Sequence, residues 1–190
     1  MSAFPAPFGL KPLYHPSGVI RPKASDVASG YATNLFMYTP VNLAPGTGTG
    51  LVIAAGSPIA GPAVGSFLGV EFTPSTGRRQ YQPWWPGNQV AQQIVAYYTD
   101  DQLITYEVQA NGSVNESHQG NQANMTAEAG NLITGFSTSA LDVATLTNSG
   151  NALVKIIGLS YGPLNAWGDA YTIVQVQIAN HTFTATRVAQ

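Results

Sequence analysis

The sequence predicts an all-β fold: a two-sheet sandwich of jelly-roll type over residues 24–190, preceded by an extended, proline-rich arm over residues 1–23. Three observations lead to it. Residues 171–178 set Val174, Val176 and Ile178 against Ile173, Gln175 and Gln177, and a period of two marks a strand with one buried and one wetter face. The 20 glycines and 13 prolines of the 190-residue chain cut such runs into strand lengths separated by turns. No stretch carries the 3.6-residue apolar period of a long amphipathic helix, which leaves sheet-on-sheet packing as the way to bury a core.

In the arm, prolines at 5, 7, 12, 16 and 22 exclude a helix interior or a central strand, because proline fixes φ and lacks a donor N–H. Between them stand Phe4, Phe8, Leu10, Leu13, Tyr14, Val19 and Ile20, too apolar for a solvated linker. The segment is expected either to lie in a groove, on its own domain or on a neighbouring subunit, or to form an irregular edge packed on its own core. Strands are expected over 35–38, ending in a kink at Pro40, and over 51–55, with 56–66 a Gly/Pro loop. Residues 66–73 return to strand with Leu68, Val70 and Phe72 on one face. Residues 74–89 read as a long irregular connection that holds Trp84 and Trp85 between Pro83 and Pro86.

Residues 94–99 and 103–108 are expected to form a hairpin across Asp100 and Asp101, and Asn111-Gly112 to reverse the chain into a third strand over 113–118. A further strand is expected at 136–141 and a helical turn at 141–146. The strand pair 153–159 and 171–178 follows, with Val154, Ile156, Val174, Val176 and Ile178 in the core and Trp167 packed in the connection.

Only 8% of the residues are charged while 44% are apolar, against roughly a quarter charged in an average soluble protein. Such a surface resists association weakly, which points to one that is covered in an assembly. A pI near 5.8 and a single arginine pair, Arg78-Arg79, do not make a nucleic-acid footprint. No run approaches the ~18 apolar residues of a membrane span. The first residues carry neither the basic nor the apolar part of a signal peptide, so the chain is expected to be made in a cytosol and to need no membrane.

With no cysteine, disulfides and thiolate metal sites are impossible. His15, His118 and His181 stand alone in sequence, the acidic residues show no paired spacing, and neither G-x-S-x-G nor a P-loop occurs. No catalytic residue, metal ligand or cofactor is therefore expected, and the chain is expected not to be an enzyme. The Trp84-Trp85 pair suits an anchor in a protein interface or a flat platform for a sugar.

The opening APFGLKPLYHPSG and ASGYATNLF, and later YEVQANGSV, ITGFSTSALD and GLSYGPLNAWGDAYTIVQVQIANHTF, resemble in order the segments of a group of tailed-bacteriophage virion proteins. The resemblance covers most of the chain and is weakest over 44–89. It implies a capsid cement or decoration protein: β-rich, working as a dimer or trimer of itself, bound to the outside of the major capsid protein shell and bridging capsomers, with synthesis in the host cytoplasm. The capsid or subunit contacts are then expected at Phe4, Phe8, Leu10, Leu13, Tyr14, Trp84 and Trp85. A host-glycan-binding virion protein and a minor head or tail component are the alternatives.

Overall fold

The structure, a computed structural model, describes residues 2, 4–44, 50–127 and 129–184. Among these, eleven strands form two packed antiparallel sheets, the expected sandwich. The first sheet runs in the order β1 (Lys11–Tyr14), β8 (Thr105–Gln109), β11 (Ile173–Ile178), β10 (Val154–Leu159) and β9 (Gln122–Ala123). The second runs β2 (Lys23–Ser25), β7 (Ala91–Tyr98), β5 (Gly65–Pro74), β3 (Pro40–Leu43) and β4 (Leu51–Ile53), with β6 (Gln80–Gln82) also on β5.

The pair β10 and β11 meets expectation in kind and in register. Val154 faces Ile178 and Ile156 faces Val176, and Val154, Ile156, Val174, Val176 and Ile178 are all buried. Alternation on β11 works here because one face meets the interior and the other keeps its glutamines half-exposed. Trp167 packs against the same cluster, and the helical turn expected at 141–146 is present as a 3-10 turn over Val143–Thr145, with the Asp142 carboxylate accepting from the Ala144 N–H.

Of the placements expected for residues 1–23, the structure shows the edge packed on its own core: Leu10 is wholly buried in the first core cluster, and Lys11–Tyr14 pair with β8 as an edge strand, so the segment is not an arm apart from the sandwich over its whole length. Proline at 12 is tolerated because an edge strand has a second side that needs no partner. Gly9, at φ +79, lets the chain pass directly under the Tyr38 carbonyl, where a Cβ would collide.

Four expected strand features are corrected. The expected hairpin over 94–108 is instead a crossover, since β7 lies in the second sheet and β8 in the first. The turn closes on itself without a ladder, Leu103 N–H donating to the Asp101 carboxylate (2.8 Å) and Ile104 N–H to the Asp101 carbonyl (3.3 Å). Nor do residues 113–118 form a strand. Glu116–His118 make a 3-10 turn closed by the Asn115 N–H on His118 Nδ1 (3.2 Å), and β11 takes the place beside β8.

Residues 35–38 and 136–141 make isolated bridges, such as Leu35 with Trp85 and Met37 with Phe136, while the strand begins at Pro40, a position where a missing N–H is harmless. Three short strands, β2, β6 and β9, carry too few residues for a periodic signal.

The interior divides into two apolar clusters, one on each sheet. Between them lies a buried polar seam. Thr99 Oγ1 accepts from the Ser66 N–H (2.9 Å) and sits 2.8 Å from Tyr106 Oη, while Thr99 N–H donates to the Ser66 carbonyl (3.0 Å). Burial pushes the Tyr106 phenol far above its ordinary pKa, so its proton stays in place and is available to the threonine oxygen. The seam stitches β8 of the first sheet to β5 and β7 of the second.

Candidate functional site

The N-terminal segment is fastened across the surface by its backbone. Ser2 N–H donates to the Leu164 carbonyl (3.2 Å), Tyr171 N–H to the Ser2 carbonyl (2.8 Å), and the Ser2 hydroxyl to the Asp169 carboxylate. That hydroxyl, with the Ala166 N–H, holds the Asp169 carboxyl below the usual carboxylate range. The Gln109 side chain then clamps the segment from below, its Nε2 donating to the Phe4 carbonyl (3.0 Å) and its Oε1 accepting from the Ala6 N–H (2.7 Å). Finally Gly9 N–H reaches Ser139 O and Leu10 N–H reaches Tyr38 O. The segment thus runs from the 161–170 loop to residues 137–139, with Phe4 63% exposed and Leu164 58% exposed along the way.

The far end of this path is a turn that presents apolar side chains to solvent. Asn131 Oδ1 accepts from the N–H groups of Ile133 (2.8 Å) and Thr134 (3.2 Å), and the Asn131 carbonyl accepts from Gly135 N–H (2.7 Å). Asparagine does this because its short side chain mimics a backbone turn. The result holds Leu132 and Ile133 outward at 59% and 94% exposure. Beneath them Trp84 stacks on Phe36 at 5.7 Å and 18°, and Tyr38 packs on Phe136 at 5.7 Å.

Leu164, Phe4, Phe8, Phe136, Leu132 and Ile133, with Trp84 half-buried beside the turn, are the apolar side chains set out along this fastened backbone, called the strip below. None of them is ionisable; the Lys11 ammonium stands 5.9 Å from the Phe8 ring and also pairs with Glu107, and Asp169 is engaged by Ser2. Monomeric proteins seldom expose contiguous apolar patches above a few hundred Å², and larger ones mark interaction sites. Asn131→Ala is expected to speed amide exchange at Ile133 and Thr134 while lowering global stability by only about 1 kcal/mol, read by hydrogen exchange and urea unfolding.

Of the seven residues expected to make contacts, Phe4, Leu13 and Tyr14 are exposed and Phe8 and Trp84 half-buried. Leu10 and Trp85 are corrected: both are fully buried. Trp85 lies edge-on to Phe72 at 5.4 Å and its indole N–H donates to the Tyr31 carbonyl (3.3 Å), so it is core. Phe4, Phe8 and Trp84 belong to the strip, whereas Leu13 and Tyr14 lie on β1 beside a different feature, the His15 cleft. Leu132, Ile133 and Phe136 were not among the expected contacts, and no residue type or spacing sets Leu132 and Ile133 apart from core aliphatics.

No protein-family model, curated protein or solved structure matches this chain. The surface must therefore be interpreted from its own chemistry.

The His15 cleft, of about 490 Å³, is lined by His15, Ser17, Arg21, Asp100 and Asp101. His15 Nδ1 lies 2.7 Å from Ser17 Oγ and Nε2 lies 3.2 Å from Asp101 Oδ2, the order of groups in a nucleophile, base and orienting acid. The turn spends its own donors, however. Gly18 N–H goes to the His15 carbonyl (2.8 Å) and Val19 N–H to Ser17 Oγ (3.4 Å), so neither amide can stabilise an oxyanion at Ser17. The constellation braces the turn that follows β1. Among the described residues no group of three or more His, Asp or Glu side chains converges as a metal site.

Proposed function

We propose that the chain is a structural virion protein: a decoration subunit that binds the outside of a major capsid protein shell, associates with copies of itself and bridges neighbouring capsomers. The observation that carries this reading is the series of exposed apolar side chains from Leu164 to Ile133, on backbone fastened by hydrogen bonds before any partner arrives. A preformed surface loses little conformational freedom on docking, so more of its burial appears as affinity. The order of sequence segments resembling phage virion proteins supports the same assignment, as does the low charge of the whole chain.

Function then follows from linkage. A subunit that bridges two capsomers makes its full contacts only on the assembled shell and shifts the equilibrium towards it by mass action. Repetition over the shell adds avidity that one copy lacks. No reaction is required of the protein.

Cosedimentation with purified capsids tests this. Leu132→Asp with Ile133→Asp, both at exposed positions, is expected to abolish occupancy while changing folding stability by no more than about 0.5 kcal/mol. Raising salt from about 0.1 M to about 1 M is expected to leave most of the wild-type occupancy in place, because screening acts on charges and the strip's own side chains carry none, Lys11 beside Phe8 being the charged neighbour. Undiminished binding by the double variant, or absence of the protein from purified particles, would sink the proposal.

A further inference from the structure

The run 180–184 leaves the first sheet at the end of β11 and crosses to the second. Ala63 N–H donates to the Asn180 carbonyl (3.0 Å), Thr182 N–H to the Ala63 carbonyl (3.0 Å), and Thr182 Oγ1 to Asn42 Oδ1 on β3 (2.6 Å). The run is a strap between the sheets. Its inward side chain is His181, 4% exposed and in parallel register with Ala63.

The proton on this imidazole is placed by its neighbours. Nδ1 accepts from the Phe183 N–H (3.1 Å), so the neutral ring carries its hydrogen on Nε2, which is buried without a hydrogen-bond partner. A second proton has to go on Nδ1. There it would face the Phe183 N–H, donor against donor, and the bond that folds the strap onto the ring would be lost.

We propose that His181 is a proton-operated latch: protonating Nδ1 frees residues 180–184 from the Ala63 edge, while both sheets remain folded.

Several groups bear on the ring from the elements packed around it. Asp100 and Asp101, on the β7–β8 crossover, favour its charged form, and the backbone of Val64 and Asp100 acts in the same direction. The pull of Asp100 is reduced because it is paired with Lys23 (2.6 Å), and Asp101 Oδ2 lies 3.2 Å from His15 Nε2. Lys23 Nζ itself stands 6.0 Å from the Phe183 ring that packs on His181. Burial outweighs these and holds the imidazole below its ordinary pKa of 6.5. A depressed folded value means that the closed strap is favoured above pH 6.5 and weakens as pH falls below it. Between the released and closed values, the opening constant rises about tenfold per pH unit.

Hydrogen exchange of the full chain from about pH 7.5 to about pH 5, corrected for intrinsic rates, reads this directly. The Ala63 and Thr182 amides should lose protection with that slope, while Gln175 in mid-β11 stays protected. His181→Asn keeps a short acceptor and cannot titrate, so its profile should be flat. His15→Gln and His118→Gln, which remove the other two histidines, should leave the slope intact. A flat wild-type profile, or a slope that survives in His181→Asn, overturns the latch. If His181→Asn does not fold, the other two variants decide: a slope retained in both supports the latch, and one lost in either overturns it.

Discussion

Trp85→Ala is expected to lower folding stability by about 3–5 kcal/mol, and Trp84→Ala by less than half of that. The two neighbours differ because Trp85 is fully buried, edge-on to Phe72 and bonded through its indole N–H to Tyr31, whereas Trp84 is half-buried and lies on Phe36. Removing Trp85 opens a cavity in the second cluster and takes one of two donors from the Tyr31 carbonyl, which keeps the Asn88 N–H (2.8 Å). Urea unfolding of the two single variants, with unchanged slopes, measures the difference. Equal losses would show that Trp85 is not the core residue described here. The practical corollary is that a double alanine variant cannot report on binding, since its loss of occupancy would arise from unfolding.

Gly65→Ala should be nearly as damaging, at about 3 kcal/mol or more. Gly65 opens β5 where the polar seam passes, and a Cβ there would overlap the Thr99 carbonyl and crowd its Oγ1. The overlap is with backbone, so no rotamer relieves it, and β5 must move away from the 99–101 crossover. That motion pulls Ser66 from Thr99 and, through Thr99, strains its contact with Tyr106. Gly77→Ala is the control. Its φ is +82 but the space beside it is open, so only the left-handed strain of about 1–2 kcal/mol remains. Thermal unfolding of the pair tests this, and a Gly65 variant no worse than the Gly77 variant would contradict the seam geometry.

The parts of the fold that were legible in the sequence are those where one face meets one core. On β10 and β11 the alternation of Val154, Ile156, Val174 and Val176 predicted burial correctly, because each strand is covered on one side only. Partner choice was not legible. Residues 94–108 looked like a hairpin, since Asp100 and Asp101 suit a turn of either kind. What places β8 in the other sheet is its pairing with β1 and β11, from distant parts of the chain, which no local pattern encodes. The placement of the proline-rich opening was not legible for a similar reason: Leu10 and Lys11–Tyr14 gain their places from β8 and Tyr38, far along the chain. For the strip, Phe4, Phe8 and Trp84 could be singled out by residue type. Leu132 and Ile133 could not, because aliphatic residues near a polar loop normally turn inward, and only the Asn131 bonds keep them out.

The placement of β1 has a consequence for synthesis on the ribosome. The first sheet orders β1, from residues 11–14, beside β8, from 105–109, and β8 beside β11, from 173–178. Strand β8 thus waits for one neighbour made early and another made late. The second sheet is built from β2 to β7, and all of its strands have been synthesised once Tyr98 emerges. A nascent chain stalled between Gln109 and Ile173 would hold a paired second sheet beside a β8 that lacks its β11 neighbour. Such an edge invites pairing with other chains, so release of β11 is the step at which the emerging polypeptide stops being prone to aggregate.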